Sequence, residues 1–247
     1  MSERYTINDS DTLVIEPHDP YVTVFLRSSE CSVEYRLHDG DFHILVFQDH
    51  PESMKLRERG YVENGTAEIK YLELDRYDLL QDTDIEVKKG SSLEVQSICL
   101  GTAVKKIDFN LVNAGSDSSV RISNNIVCLD DSSFTMNVIG KIVSEARRAK
   151  CHQKSRCLTI GSPKKAEVKP VLLIDNNDVE ASHSLSSGTI DDEVLFYMNS
   201  RGLSEMDALR LLLRSYLIPD ESFYDGFADG EMIREEAKRK VDDLCSM

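Results

Sequence analysis

The sequence predicts a mainly β protein that ends in a small helical region, and three observations carry that prediction. Short apolar runs with strand-type alternation recur from the N-terminus to about residue 188. Brief turns rich in Gly, Asn, Asp and Ser separate them. After Thr189 the apolar residues fall at helical spacing instead. Short, numerous strands suit an all-β sandwich, a barrel or a β-solenoid, and alternation alone does not choose among them. No strict repeat length is visible, which excludes a regular hexapeptide solenoid but leaves an irregular one open.

In chain order, residues 1–67 form an N-terminal β region whose fold the pattern leaves open. Thr12 to Glu16 and Tyr21 to Leu26 are rich in β-branched and aromatic residues, punctuated by Pro17 and Pro20. Ser32 to Arg36 alternates. Phe42 to Phe47 is nearly continuous and reads as buried on both faces. From Pro51 to Gly65 the chain is polar and reads as a loop with a short helix. Residues 68–188 then give strands around Ile69, Val87, Val95, Phe109, Ile122, Ile126, Val138, Leu158 and Val171. Lys141 to Lys150 is the ambiguous place.

Residues 189–247 read as a helical domain. Thr189-Ile190-Asp191-Asp192 and Ser204-Glu205-Met206-Asp207 each have capping-box character. Arg201 suits a last helical turn, and Gly202 is placed to end it. Leu203, Met206, Leu209, Leu212 and Leu213 form an apolar stripe that Pro219 stops. Glu231 to Leu244 gives a third helix with a narrow apolar face. Helices this short and this charged form no core of their own, so they must dock on the β body, a second copy or another protein.

The chain has 247 residues, 40% hydrophobic and 30% charged, which fits a globular protein with a sizeable core. Its net charge of −15 argues against nucleic acid as a partner. One stretch is locally basic: Lys141, Arg147, Arg148, Lys150, Lys154, Arg156, Lys164 and Lys165 face Glu145 alone, and a charged sheet edge is the favoured reading. Cys31, Cys99, Cys128, Cys151, Cys157 and Cys245 include no Cys-x-x-Cys pair and suggest reduced thiols in the cytoplasm. The first residues carry no apolar signal segment, and no run is long enough to span a bilayer, so no membrane is expected.

No catalytic motif stands out. Gly161-Ser162-Pro163-Lys164-Lys165 lacks the length of a phosphate loop, and no Gly-x-Ser-x-Gly elbow occurs. Cys151, His152 and Cys157 lack the second ligand pair of a zinc site, and the two cysteines read better as small hydrophobes on β strands. His183, among the small residues Ala181, Ser182 and Ser184, is the sharpest single candidate. The residues by themselves describe a binding protein rather than an enzyme.

A resemblance sharpens this reading. Lys169-Pro170, the run Val171 to Ile174, Asp178-Val179, Ser182-His183, Gly188 and Ile190-Asp191-Asp192-Glu193 resemble the SufB/SufD family of iron–sulfur cluster assembly proteins. The likeness continues through Leu195-Phe196-Tyr197, Ser200-Arg201-Gly202-Leu203-Ser204 and Ala208 to Leu212, and covers roughly residues 150–217. It implies an irregular right-handed parallel β-helix (a β-solenoid) followed by a small α-helical domain. It implies a non-catalytic subunit that pairs through its β-helix with a SufB-type paralogue or a second copy of itself. The same resemblance implies that the C-terminal helices dock an ABC-type ATPase, SufC, with Leu195, Phe196, Arg201, Leu209 and Leu212 at or under the docking surface. No tightly bound cofactor is expected, only a transient iron–sulfur cluster shared at a subunit interface.

His183 matches the histidine that D-type subunits present at that interface, and Cys157 is a weaker candidate contact. B-type subunits carry a glutamate after the histidine and a cysteine where this chain has Ser184 and Ser155. D-type members commonly read Cys-Ser-His-Gly, against Ala181-Ser182-His183-Ser184 here. The resemblance is therefore closer to the D type. The alternatives are a free-standing β-helix homodimer without a cluster role and a β-helix enzyme acting on acidic polysaccharide.

Overall fold

The computed structural model of the chain describes residues 2–8, 12–49, 52–190 and 192–244. Pro51, Asp191 and Cys245, which figured in the sequence reading, lie outside the described residues. The strands are β1 (Ser2–Ile7), β2 (Thr12–Ile15), β3 (Tyr21–Leu26), β4 (Glu30–His38), β5 (Asp41–Gln48), β6 (Met54–Glu63), β7 (Thr66–Glu73) and β8 (Leu79–Val87). They continue as β9 (Ser92–Gly101), β10 (Val104–Asn113), β11 (Ser119–Cys128), β12 (Ser133–Ile142), β13 (Ala149–Thr159), β14 (Lys165–Ile174) and β15 (Val179–Thr189). Three α-helices follow: α1 (Asp192–Ser200), α2 (Glu205–Leu217) and α3 (Gly230–Leu244). A short 3₁₀ turn, Glu221–Phe223, lies between the last two.

The odd-numbered strands pair in sequence order in one sheet, β1 to β15, and the even-numbered strands in a second, β2 to β14. Every pairing is parallel. Each coil thus contributes one strand to each sheet, which makes a β-solenoid and rules out the antiparallel sandwich and barrel. The offset between paired residues is 22 from Tyr21 to His43, 25 from His43 to Glu68, 27 from Ser92 to Ser119 and 31 from Ser119 to Lys150. A coil that lengthens along the chain leaves no fixed period in the sequence.

Inward-facing side chains from both sheets form one continuous core, including Ile44, Ile69, Val95, Ile122, Phe109 and Phe134. The region from 52 to 63 departs from expectation. It is not a loop with a helix but strand β6, with Met54, Leu56, Glu58 and Val62 turned inward. The buried Glu58 hid the alternation. Gly60 completes it, because a Cβ there would meet the Tyr35 carbonyl oxygen at 2.6 Å. Turns at Asp39 and Asn64 take positive φ, which Asp and Asn tolerate better than other non-glycine residues.

Helices α2 and α3 and the turn between them cover the outer face of the odd-strand sheet, while α1 packs on α2. Leu213, Leu217, Phe223, Phe227, Ile233 and Val241 pack on Phe25, Phe47, Leu72, Ile98, Val127 and Leu158. Where the helices lie on it the sheet is buried on both faces, as the run Ile44 to Phe47 shows. Ser204 caps α2, accepting from the Asp207 amide at 3.1 Å. Gly202, at φ +92°, closes α1: its N–H donates to Asn199 O and the Leu203 N–H to Met198 O. The expected stripe on α2 shifts, however. Ala208, Leu213 and Leu217 are buried, while Met206 is exposed. Steps of three residues slide around a helix of 3.6 residues per turn, and the four-residue steps Leu209, Leu213, Leu217 hold one face. Lys240 of α3 pairs with Asp75 and Asp49 of the solenoid, which fixes the helix on the sheet.

Candidate functional site

The solenoid is stacked but not closed at its C-terminal end. β14 and β15 each pair on one side only, with β12 and β13. Pro170 sits on β14, where an edge position tolerates a residue without an amide proton. Parallel partners in register share a face. His183, Leu185 and Ser187 therefore lie over Gln153, Ser155 and Cys157, all three buried. His183 is on the interior side of the last coil and is exposed because no further coil of the described chain covers it. Leu173, Ile174 and Leu185 on the same coil are 47%, 42% and 43% exposed.

Below this opening the interior turns polar. Asn124 Nδ2 donates to Ser155 Oγ at 3.0 Å, and Gln153 Nε2 donates to the Val171 carbonyl at 3.1 Å. Gly140 makes room for that crossing, since a Cβ there would meet Cys151 Sγ at 2.5 Å.

His183 and Cys157 share this face but are not brought together. Cys157 pairs with Ser187, four residues along β15, about 13 Å at a normal strand rise. Its thiol contacts that of Cys128, and this contact together with burial pushes the Cys128 thiol up. Burial also pushes the Cys151 thiol up to about 11. The Cys128 and Cys151 thiols therefore stay protonated at neutral pH and are poor metal ligands as they stand, whereas the contact with Cys128 lowers the Cys157 thiol. Cys151 faces the core while the neighbouring His152 faces out, 2.8 Å from Ser182 Oγ. Among the described residues no three His, Cys, Asp or Glu side chains converge as a metal site.

Helix α1 flanks the open coil. Phe196 and Tyr197 are 75% and 58% exposed, and the Arg201 guanidinium lies 5.1 Å from the Tyr197 ring centroid. Leu195, Leu209 and Leu212 are half-buried, so they support this surface more than they form it. The sequence reading missed Tyr197, Leu211, Leu173 and Leu185. One signal was present: Val171-Leu172-Leu173-Ile174 is apolar on both faces, yet one face has no cover in this chain. The basic stretch is solvated and charge-paired but is mostly not a sheet edge, since β13 lies between β11 and β15. Arg148 makes two bonds to Asp117 at 2.7 and 2.6 Å, and Lys150, Lys164 and Lys165 pair with Glu180, Asp131 and Glu167. No described helix is long and apolar enough to cross a membrane.

Residues 45–216 match the family model described as SUF system FeS cluster assembly, SufBD core domain. The chain belongs to the SufBD family. Among curated members, it is 32% identical over 132 residues to the iron–sulfur cluster assembly protein SufD of Bacillus subtilis, covering 53% of this chain and 30% of that protein. It is 37% identical over 93 residues to a SufBD family protein of Pyrococcus horikoshii, covering 38% and 20% respectively. Against SufD of Escherichia coli it is 29% identical over 104 residues, covering 42% and 24%. The likeness is thus closer to the SufD type. The chain spans less than a third of the length of these SufBD relatives in each match. The SufBD core match takes in the open coil, α1 and nearly all of α2.

Proposed function

We propose that this chain is a non-catalytic subunit of an iron–sulfur cluster assembly complex. It pairs through the open last coil and docks an ABC-type ATPase, SufC, through α1 and α2. The observation that carries the reading is the unsealed coil. Two neighbouring edge strands with exposed apolar side chains are a liability unless something pairs with them. A SufB-type paralogue or a second copy of this chain would meet that need. The pairing surface would then carry His183, whose imidazole is a competent iron ligand in place of a thiolate. The cluster is cargo, built and passed on at the subunit boundary. Phe196 and Tyr197 offer an aromatic anchor of the kind that dominates binding energy at an interface centre.

Two substitutions separate the two surfaces. Leu185→Asp puts a charge on the pairing face and is expected to weaken pairing roughly tenfold or more, with ATPase capture unchanged. Phe196→Ser is expected to weaken ATPase capture by roughly tenfold or more and to leave pairing intact. Both sites are exposed, so the fold should be unaffected, which circular dichroism checks. The measurement is co-elution of the intact chain with the ATPase and a SufB-type subunit, with complex mass read by light scattering. Failure of the unsubstituted chain to associate with either protein when both are supplied would remove the reading.

A further inference from the structure

A second feature lies far from the open coil, on the outer face of the early odd-numbered strands. There Tyr21, His43 and Glu68 occupy one ladder, residue on residue across β3, β5 and β7. Lys70 and Gln96 occupy the next ladder, on β7 and β9. The segment from Pro219 to Asp225 passes in front of them and leaves a cleft of about 600 Å³. A cavity of this size is in the range that small organic ligands occupy.

The wall of the cleft already holds one ammonium group. The Lys70 side chain is only 7% exposed. Its Nζ lies 3.2 Å from the Glu68 carboxylate and donates to the Phe223 carbonyl at 3.1 Å. It also sits 5.2 and 5.6 Å from the ring centroids of Phe223 and Phe227. Carboxylate, carbonyl and aromatic faces are the combination that replaces water around an organic cation. Glu68 is held in place for this by Gln96 Nε2 at 3.0 Å and His43 Nδ1 at 2.8 Å. Tyr21 stacks on His43 with 4.8 Å between centroids, which stiffens the aromatic side of the cleft.

Lys70 does not use all of this chemistry. Asp220 and Asp225, on the covering segment, also line the cleft. Among the described residues no Lys or Arg makes an ion pair with either. The Ser222 hydroxyl donates to Asp220 at 2.5 Å, which favours the ionised carboxylate. The cleft thus presents net negative charge, Glu68, Asp220 and Asp225 against Lys70, beside an aromatic shelf and amide groups from Gln96 and Asn125. An anionic ligand would meet two carboxylates and a lysine that is already committed.

We propose that this cleft binds a small organic cation, an alkylammonium or guanidinium group, with its charge between Asp220 and Asp225 and its carbon skeleton against Tyr21. The site is separate from the open coil and from α1, so it does not rest on the assembly role. The group has two sources, a free polyamine or an arginine side chain of another protein, and two probes distinguish them.

The test is calorimetric titration of the full chain at physiological ionic strength with spermidine and, separately, with Nα-acetyl-arginine amide. Saturable one-to-one binding of either probe is expected, and which one binds identifies the source. Asp225→Asn should weaken it by roughly tenfold or more. Glu63→Gln, which removes an exposed acid elsewhere on the solenoid, should leave it unchanged. Both acids are exposed, and unchanged thermal unfolding confirms that the variants fold. Three results overturn the proposal: no saturable binding of either probe, unchanged affinity in Asp225→Asn, or equal losses in the two variants. The last would mean diffuse attraction to a chain of net charge −15.

Discussion

Replacing Lys105 by methionine is expected to destabilise the protein by about 3–5 kcal/mol, the usual result of removing one partner from a buried ion pair. The Lys105 side chain has no solvent exposure, and that of Glu73 only 4%. The ammonium pairs with the Glu73 carboxylate and donates to the Asp75 carbonyl at 2.6 Å. Without Lys105, the carboxylate stays in the core with Asp75 near it and no cation in contact. Burial already raises the Glu73 pKa, and Lys105 is the largest effect opposing that rise.

In Lys105→Met the folded pKa of Glu73 should therefore rise further. A raised folded pKa gives stability that is complete below the unfolded value of 4.5 and is lost as pH climbs through the folded value. The deficit should be large at pH 8 and shrink on acidification. The double variant Lys105→Met, Glu73→Leu should recover most of the loss, since an apolar pair of similar volume often equals a buried ion pair. Urea denaturation of both singles and the double forms the cycle that measures it. A single variant within about 1 kcal/mol of the parent would show that water reaches the pair.

The second large effect belongs to Glu58, a fully buried carboxylate without a cation in contact. Tyr35 donates to one oxygen at 2.7 Å, and Tyr71, Gln81 and Thr83 donate to the other at 3.0, 3.1 and 2.6 Å. These donors come from β4, β7 and β8, so one side chain ties both sheets together across neighbouring coils. Glu58→Leu strands several buried donors and is expected to lose about 3 kcal/mol or more. Glu58→Gln keeps an acceptor for most of them and should lose much less. Burial raises the Glu58 pKa, with the four hydrogen bonds opposing it. By the same sign rule, this residue favours folding below 4.5 and less so as pH rises through its folded value. Glu58→Gln should remove that component, so its stability relative to the parent should improve from pH 5 to pH 8. Parallel denaturation curves at the two pH values check this, and an unchanged difference would contradict it.

Both buried acids show why part of the fold was hard to read. Alternation marked most strands correctly, because a half-buried strand repeats every two residues wherever it pairs. It failed at β6, where the inward set Met54, Leu56, Glu58, Gly60 contains a carboxylate and a glycine. Local signals worked where the physics is local. Ser204 caps the helix it precedes, and Gly202 takes the positive φ that ends α1. For the candidate site, His183 stood out among its small neighbours in the sequence, but an interface role for it was implied only by likeness to a family. Its exposure depends on the absence of a covering coil, and Cys157 proved to lie four positions away along the strand pair.

The sequence by itself determined the balance of strands and helices, most strand positions, the change of period after Thr189 and membership of a recognisable family. These follow from short-range constraints: side-chain alternation, capping and backbone preferences within a few residues. Only the tertiary structure decided that the strands pair in parallel with offsets of 19 to 32 residues, and that α2 and α3 dock on one sheet. Only it showed that the last coil is left open beneath His183. Pairing partners far apart in the chain are chosen by the sum of many weak contacts, and no single stretch of sequence carries that sum.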